Sequence, residues 1–261
     1  MEFKSIVIFS FASLLMMGCQ KEGGSSSSSS SGEPMGPEIS SVCQEGKSCR
    51  VLPFGDAVVE GIELNANNTY VHNGGFRKAL FEAAREDSKY LNFVGLRENG
   101  PDTAAGTDFP KKHSGFSAIS LKNLLRMLPQ PTKKFKHDIV LLHAGTFEVA
   151  SMTTEGVEQA LNEAAESFNR VIVGLYEINP DALIAVSNFY ELSQNHVLSL
   201  AFSLTIEGLV DEFKSLHPKA KIVLVDHRGL TLPRGSDTFT LNGFGYDSMG
   251  YAWYEAIKPY L

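Results

Sequence analysis

Positive charge is scarce in this chain, cysteine is nearly absent, and no histidine occurs from residue 228 to residue 261. The 23 Lys and Arg residues are outnumbered by 30 Asp and Glu, for a net charge of −7. That balance argues against nucleic acid, whose phosphates favour a basic face. Cysteine occurs at three positions, 19, 43 and 49. Two cysteines with no histidine beside them are too few ligands for a zinc site, so no metal and no cofactor are expected. Internal repeats are missing. Beyond the N-terminus, no apolar run is long enough to span a bilayer. What remains, 43% hydrophobic and 20% charged residues over 261 positions, is the composition of one globular domain with a substantial core.

The N-terminus reads as a targeting segment. Lys4 precedes the apolar stretch "IVIFSFASLLMM", which ends at Gly18-Cys19. "LLMMGC" resembles a bacterial lipobox, which implies a signal peptide over 1–18 and acylation of Cys19; the alternative is an ordinary cleaved signal. Gln20 after that cysteine resembles the pattern of lipoproteins sent to the outer membrane. The expected location is therefore the bacterial cell envelope, held to the membrane by lipid. Residues 19–40 contain "GGSSSSSSSG", a flexible linker with a reach of roughly 25 Å. The folded domain is expected over 41–261. Export would place Cys43 and Cys49 in an oxidising compartment, where a disulfide is expected, the alternative being two free thiols.

From residue 48 onward strand and helix patterns alternate. Strands are expected at Arg50–Phe54, "YLNFVG", "HDIVLLHAG", "ALIAVSNF" and "KIVLVD". Helices are expected in "GGFRKALFEAAREDS", in "SAISLKNLLRML" up to Pro129, from about Thr154 to Ile172, from Leu198 to Leu216, and in "SMGYAWYEAI". The alternation predicts a three-layer α/β/α sandwich with a parallel, flavodoxin-like sheet of about five strands. In such sheets ligands bind beyond the carboxyl ends of the strands. The segments to inspect are 55–61, 95–117, 145–151, 188–196 and 226–246.

Those segments carry a family resemblance. "PFGDAVVEG" resembles the GDS(L) motif of SGNH/GDSL hydrolases. "DIVLLHAGTFEV" and "LNGFGYDSMGYAWY" resemble later motifs of the same superfamily, and "FVG" followed by "KKHSGFSA" resembles a stretch of its carbohydrate-esterase branch, which includes acetyl xylan esterases. The resemblance implies a serine nucleophile, a histidine base, an aspartate three residues before that histidine, and oxyanion donors from a glycine and an asparagine. At the matching positions stand Ala57 for serine, Phe147 for asparagine, Asn242 for aspartate and Gly245 for histidine; only the glycine, Gly115, is kept. Asp56, Gly55, Glu60 and Gly145 also match, as builders of turns. Alanine offers no nucleophile, and losing a triad serine costs about a million-fold in turnover. Phenylalanine donates no hydrogen bond, a loss of about 10²–10³.

Relocated chemistry would need Ser117 with His113, or Ser114 with His227. Among the remaining histidines, His143 reads as a core residue. Aromatic side chains near strand ends, Phe54, Phe116, Phe147, Tyr190, Phe239, Phe244 and Tyr246, suit sugar rings or acyl chains, or else fill a closed pocket. Asp56, His113, Phe116, Phe147, Tyr190, Phe244 and Tyr246 are the candidate ligand contacts. The expectation is a catalytically inactive, membrane-anchored protein binding a carbohydrate chain or acetylated glycan. The alternatives are a weak esterase with relocated residues, and a structural or protein-interaction lipoprotein with a closed cleft.

Overall fold

The computed structural model describes residues 40–261 apart from 45, 66, 68, 154, 191–195 and 231–240. The expected signal peptide, Cys19 and all of the expected linker but Ser40 thus lie outside the described residues, as does Phe239. The chain enters through β1 (Cys49–Gly55), whose run "CRVLPFG" is buried on both faces. Next come α1 (Ala57–Glu60), the hairpin β2 (Ile62–Leu64) and β3 (Tyr70–His72), and α2 (Phe76–Glu86). Short strands β4 (Leu91–Phe93), β5 (Arg97–Glu98), β6 (Thr103–Ala104) and β7 (Thr107–Asp108) lead to β8 (Lys112–Gly115). Helices α3 (Leu121–Met127) and α4 (Pro129–Lys134) precede the central strand β9 (Ile139–His143). The remainder is α5 (Thr146–Ser151), α6 (Val157–Ile178), β10 (Leu183–Ser187), α7 (His196–Leu216), β11 (Ile222–Val225) and α8 (Gly243–Ile257).

The main sheet has seven strands, ordered β11-β10-β9-β1-β8-β5, with β4 beside the first half of β1. All pairings in it are parallel except β5 with β8. Parallel strands need cover on both faces, and their near-continuous apolar runs follow from that. α2 packs on α8, while α6 packs on α3, α4 and α7. Cys43 and Cys49 form a disulfide with a Cα–Cα separation of 5.1 Å, tying the entry segment to β1.

The chain lays β4 and β8 on one side of β1, then β9, β10 and β11 on the other. The switch of direction falls between β1 and β9, and a crevice opens beyond the carboxyl ends of that pair. Residues 56–60 and 144–150 therefore border it.

Four differences from the sequence reading have physical causes. The sheet has seven strands where about five were expected, because the two-residue β5 (Arg97–Glu98) and β8 ("KHSG") carry little apolar signal. Pro129 does not end the helical region; its ring fixes φ for a first helical position, so it opens α4. α6 runs on to Ile178, since Leu175 continues its buried face, and stops at Asn179 before Pro180. α8 begins at Gly243, five residues before Ser248, because the Asn242 side chain accepts the Gly245 N–H and caps it.

Candidate functional site

Gly55 ends β1 at φ +151, where a Cβ would lie 1.7 Å from the His143 carbonyl oxygen, so only glycine permits this approach of β1 to β9. The chain then turns into α1 through Asp56, whose Oδ1 caps Val58 N at 3.1 Å. Asp56 is buried. His143 Nδ1 lies 3.1 Å from the same oxygen, and Thr146 donates to Oδ2 from Oγ1 at 2.6 Å and from N at 3.1 Å. Burial by itself would raise the Asp56 pKa, but the His143 charge and the bonds from His143 and Thr146 hold it below the ordinary value. An ionised carboxylate only accepts, so His143 Nδ1 carries the shared proton. This buried cluster welds the end of β1 to the start of α5.

Above it lies a cleft of about 710 Å³. Ala57 lines it at the position matching the family serine. Phe147, on α5, lines it at the position matching the oxyanion asparagine and keeps 46% of its surface exposed. Ile62 and Tyr70 of the β2–β3 hairpin and Ile119 and Ala150 add further apolar wall. The polar groups are Asp56, Glu60, His72, Ser117 and Thr146. Glu60 Oε2 accepts from Ser117 Oγ at 2.6 Å and from Ser117 N at 2.8 Å, and Arg97 Nη1 lies 3.1 Å from Glu60 Oε1. His72 is exposed, its Nδ1 3.4 Å from Asn99 Nδ2.

The structure separates the other sequence candidates from this cleft. Gly115 ends β8 with its N–H directed to His113 Nδ1 at 3.1 Å. A Cβ at Gly115 would sit 2.2 Å from Glu60 N, so packing alone requires glycine there. His113 is buried, and burial together with the Arg77, Arg97 and His72 charges pushes its pKa down to about 2. Neither relocated pair forms a hydrogen bond: His113 Nε2 has no partner, Ser114 Oγ accepts from Leu96 N at 3.1 Å, and both His227 nitrogens are buried without partners. Burial, helped by the His143 charge and outweighing Asp226 and Asn188, pushes the His227 pKa down to about 3.

Phe54 is wholly buried in β1. Tyr190 is buried with its ring 6.2 Å from that of His143. Tyr246 is buried and donates its hydroxyl to Ile62 O at 2.8 Å. Phe116 is half-buried with Arg97 over its ring at 5.2 Å. Phe244 is 76% exposed on α8. Asn242 and Gly245 serve as cap and capped residue of α8, and Glu63 Oε1 accepts from Gly243 N at 3.0 Å. The segment matching the triad Asp and His is thus held as a helix start by the β2–β3 hairpin. None of these residues is among the described residues lining the cleft.

Of the sequence candidates, Asp56 and Phe147 reach the cleft, joined by Ala57 and Ser117. Sequence reasoning missed Ile62, Tyr70, Ile119 and Ala150, and read Glu60 only as a turn residue. Apolar residues at 62, 64 and 70 around an Asn-rich stretch are a hairpin signal that would have flagged Tyr70. Among the described residues, no group of three His, Cys, Asp or Glu side chains could hold a metal ion.

No family model matches the chain. A multidomain esterase from Ruminococcus flavefaciens is 21% identical over 249 residues, covering 87% of this chain and 30% of that protein, so the chain spans under a third of that relative's length. A family 3 carbohydrate esterase from Clostridium thermocellum superposes with a TM-score of 0.66 at 19% identity, covering 81% of this chain and 96% of that one. An acetyl esterase mutant solved with an acetate ion gives 0.64 at 18% identity, over 79% of this chain and 95% of that one. The chain has the fold of the SGNH/GDSL hydrolases, and its similarity is to their carbohydrate-esterase members.

Proposed function

We propose that this chain, built on the fold of SGNH esterases, is a non-catalytic binding protein of the bacterial envelope whose ligand is a carbohydrate chain or acetylated glycan. One observation carries the reading. The cleft at the switch point is open and about 710 Å³ in volume, yet its floor is the Ala57 methyl where a nucleophile would stand. Catalysis by acyl transfer needs a nucleophile in reach of a base, beside donors aimed at the oxyanion. Ser117 is bonded to Glu60 rather than to a histidine, Gly115 N–H is bonded to His113, and Phe147 has no donor. An open cleft lined by Tyr70 and Phe147 favours binding over a purely structural role.

The likeness to carbohydrate esterases supports a carbohydrate as the ligand class. The lipobox-like "LLMMGC" and the Ser-rich linker support anchoring at Cys19, with the domain held off a membrane surface. Among the described residues no helix is long and apolar enough to cross a membrane.

The test is affinity electrophoresis of the purified chain through gels containing acetylated xylan, with acetate release followed in the same mixture. Retardation without acetate release is the expected result; acetate release at a rate proportional to protein would overturn the reading. Anchoring is tested separately by palmitate labelling, which a Cys19→Ser variant should lose.

A further inference from the structure

We infer that the cleft takes a hydrophobic acyl substituent of the glycan, specifically an aromatic acyl ester, in preference to bare sugar. This rests on the non-catalytic binding reading above and narrows its ligand.

The inference starts from the hydrogen-bonding capacity of the walls. Asp56 is engaged by Val58 N, His143 and Thr146. Glu60 is engaged by Ser117 and Arg97. The Thr146 and Ser117 hydroxyl protons both point at these carboxylates. A bare sugar brings several hydroxyls, and each one desolvated without a partner costs free energy. Here the groups that could answer them bond one another instead.

Apart from the exposed His72, whose Nδ1 lies 3.4 Å from Asn99 Nδ2, the remaining wall is mostly carbon. Ala57 on α1, Ile62 on the hairpin, Ile119 before α3, and Ala150 on α5 present methyl and methylene groups. Two rings stand on different elements around that wall: Tyr70 on β3, 59% exposed, and Phe147 on α5, 46% exposed. Exposed aromatic surface bordering a cavity gains most from a flat apolar guest that stacks on it. An acetyl group offers only a methyl, too little to cover both rings in a cleft of about 710 Å³. An aromatic acyl group brings a flat apolar face of the size that stacking on these rings calls for.

Charge selects the ester over the free acid. The ionisable groups on the cleft wall are the Asp56 and Glu60 carboxylates and the His72 imidazole, with Arg97 already paired to Glu60. A guest carboxylate would face two carboxylates with no unpaired cation on the wall among the described residues. A neutral ester avoids that repulsion.

The experiment is titration calorimetry of the full chain at neutral pH with three probes: a xylo-oligosaccharide bearing one feruloyl ester, the same oligosaccharide after removal of the ester, and free ferulate. Chromatography of each mixture reports any cleavage. The feruloylated probe should bind at least about tenfold more tightly than either other probe, a gain that stacking on two rings can supply. Tyr70→Ala and Phe147→Ala should each remove most of that preference; both residues are exposed, so circular dichroism should stay unchanged. Equal affinity for the bare and feruloylated oligosaccharides would overturn the inference while leaving glycan binding intact. Binding of none of the three probes would overturn it together with the glycan-binding reading. Tight binding followed by release of ferulate would uphold the acyl preference and overturn the non-catalytic reading instead.

Discussion

Ser117 Oγ lies 2.6 Å from Glu60 Oε2, and Ser117 N donates to the same oxygen at 2.8 Å. The serine that lines the cleft is therefore tied to a carboxylate on α1, which Arg97 shares from the other side. A triad needs its serine to hand a proton to a histidine oriented by a third group. Here His113 accepts from Gly115 N, and His143 serves Asp56. These bonds and the ion pair fix one wall of the cleft.

Restoring the serine alone should not restore chemistry. Ala57→Ser would put a hydroxyl on the cleft floor, but the matching base position is Gly245, buried in the first turn of α8. Phe147 still supplies no oxyanion donor. Hydrolysis of an acetyl ester by this variant should equal that of the parent chain. A gain of about 100-fold or more would mean a base is in reach, since general-base catalysis contributes on that scale.

Asn242 should matter for stability rather than for ligand binding. Its side chain accepts from Gly245 N at 3.1 Å and starts α8. Asn242→Ala should cost about 1 kcal/mol, the usual value of an N-cap, whereas Asn242→Asp should cost little. Urea denaturation of the two variants checks this. Equal losses from both would show that the cap is not the source.

Acid should weaken the fold well above the ordinary carboxylate range. The folded His227 resists protonation down to about 3, and His113 to about 2, while the unfolded residues take up a proton below about 6.5. The unfolded state then binds more protons, so stability is complete above pH 6.5 and falls as pH drops toward 3. Each residue contributes a slope approaching about 1.4 kcal/mol per pH unit within that window. Asp56, held below its ordinary pKa, adds a further loss at still lower pH, as its carboxylate is protonated. His227→Gln should flatten the dependence of unfolding free energy on pH between 6 and 4. An unchanged slope in that variant would mean that His227 titrates normally in the fold.

Reducing the disulfide should lower stability modestly. Cys43 and Cys49 are separated by 6 positions, so the closed loop is short. Loop-closure entropy for such a loop is worth about 2 kcal/mol. Denaturation with and without dithiothreitol measures it, and the Cys43→Ser/Cys49→Ser chain should match the reduced protein.

Much of the fold was legible because its signals are local. The apolar run Ile139–His143 and the 3.6-residue period of Phe76, Leu80 and Ala84 depend on neighbours in sequence, and both elements formed as read. The matches at Asp56 and Gly145 lie at the ends of the two strands that the cleft borders. Legibility failed where long-range contacts decide. Tyr190 and Tyr246 sit in site segments, yet one packs by His143 and the other turns its hydroxyl to Ile62 O. Tyr70 and Ile62 became cleft residues only because a hairpin folds over the start of α8, held by Glu63 and Tyr246. Nothing within residues 62–72 alone shows where that hairpin docks.

The most direct test of the central claim is turnover of a simple acetyl ester and of acetylated xylan by the purified chain, with Ser114→Ala and Ser117→Ala beside it. No turnover above a heat-treated control, in any of the three, is the expected result. Clear turnover by the parent chain that disappears in one serine variant would contradict it, and would place a working nucleophile in a cleft whose family position holds Ala57.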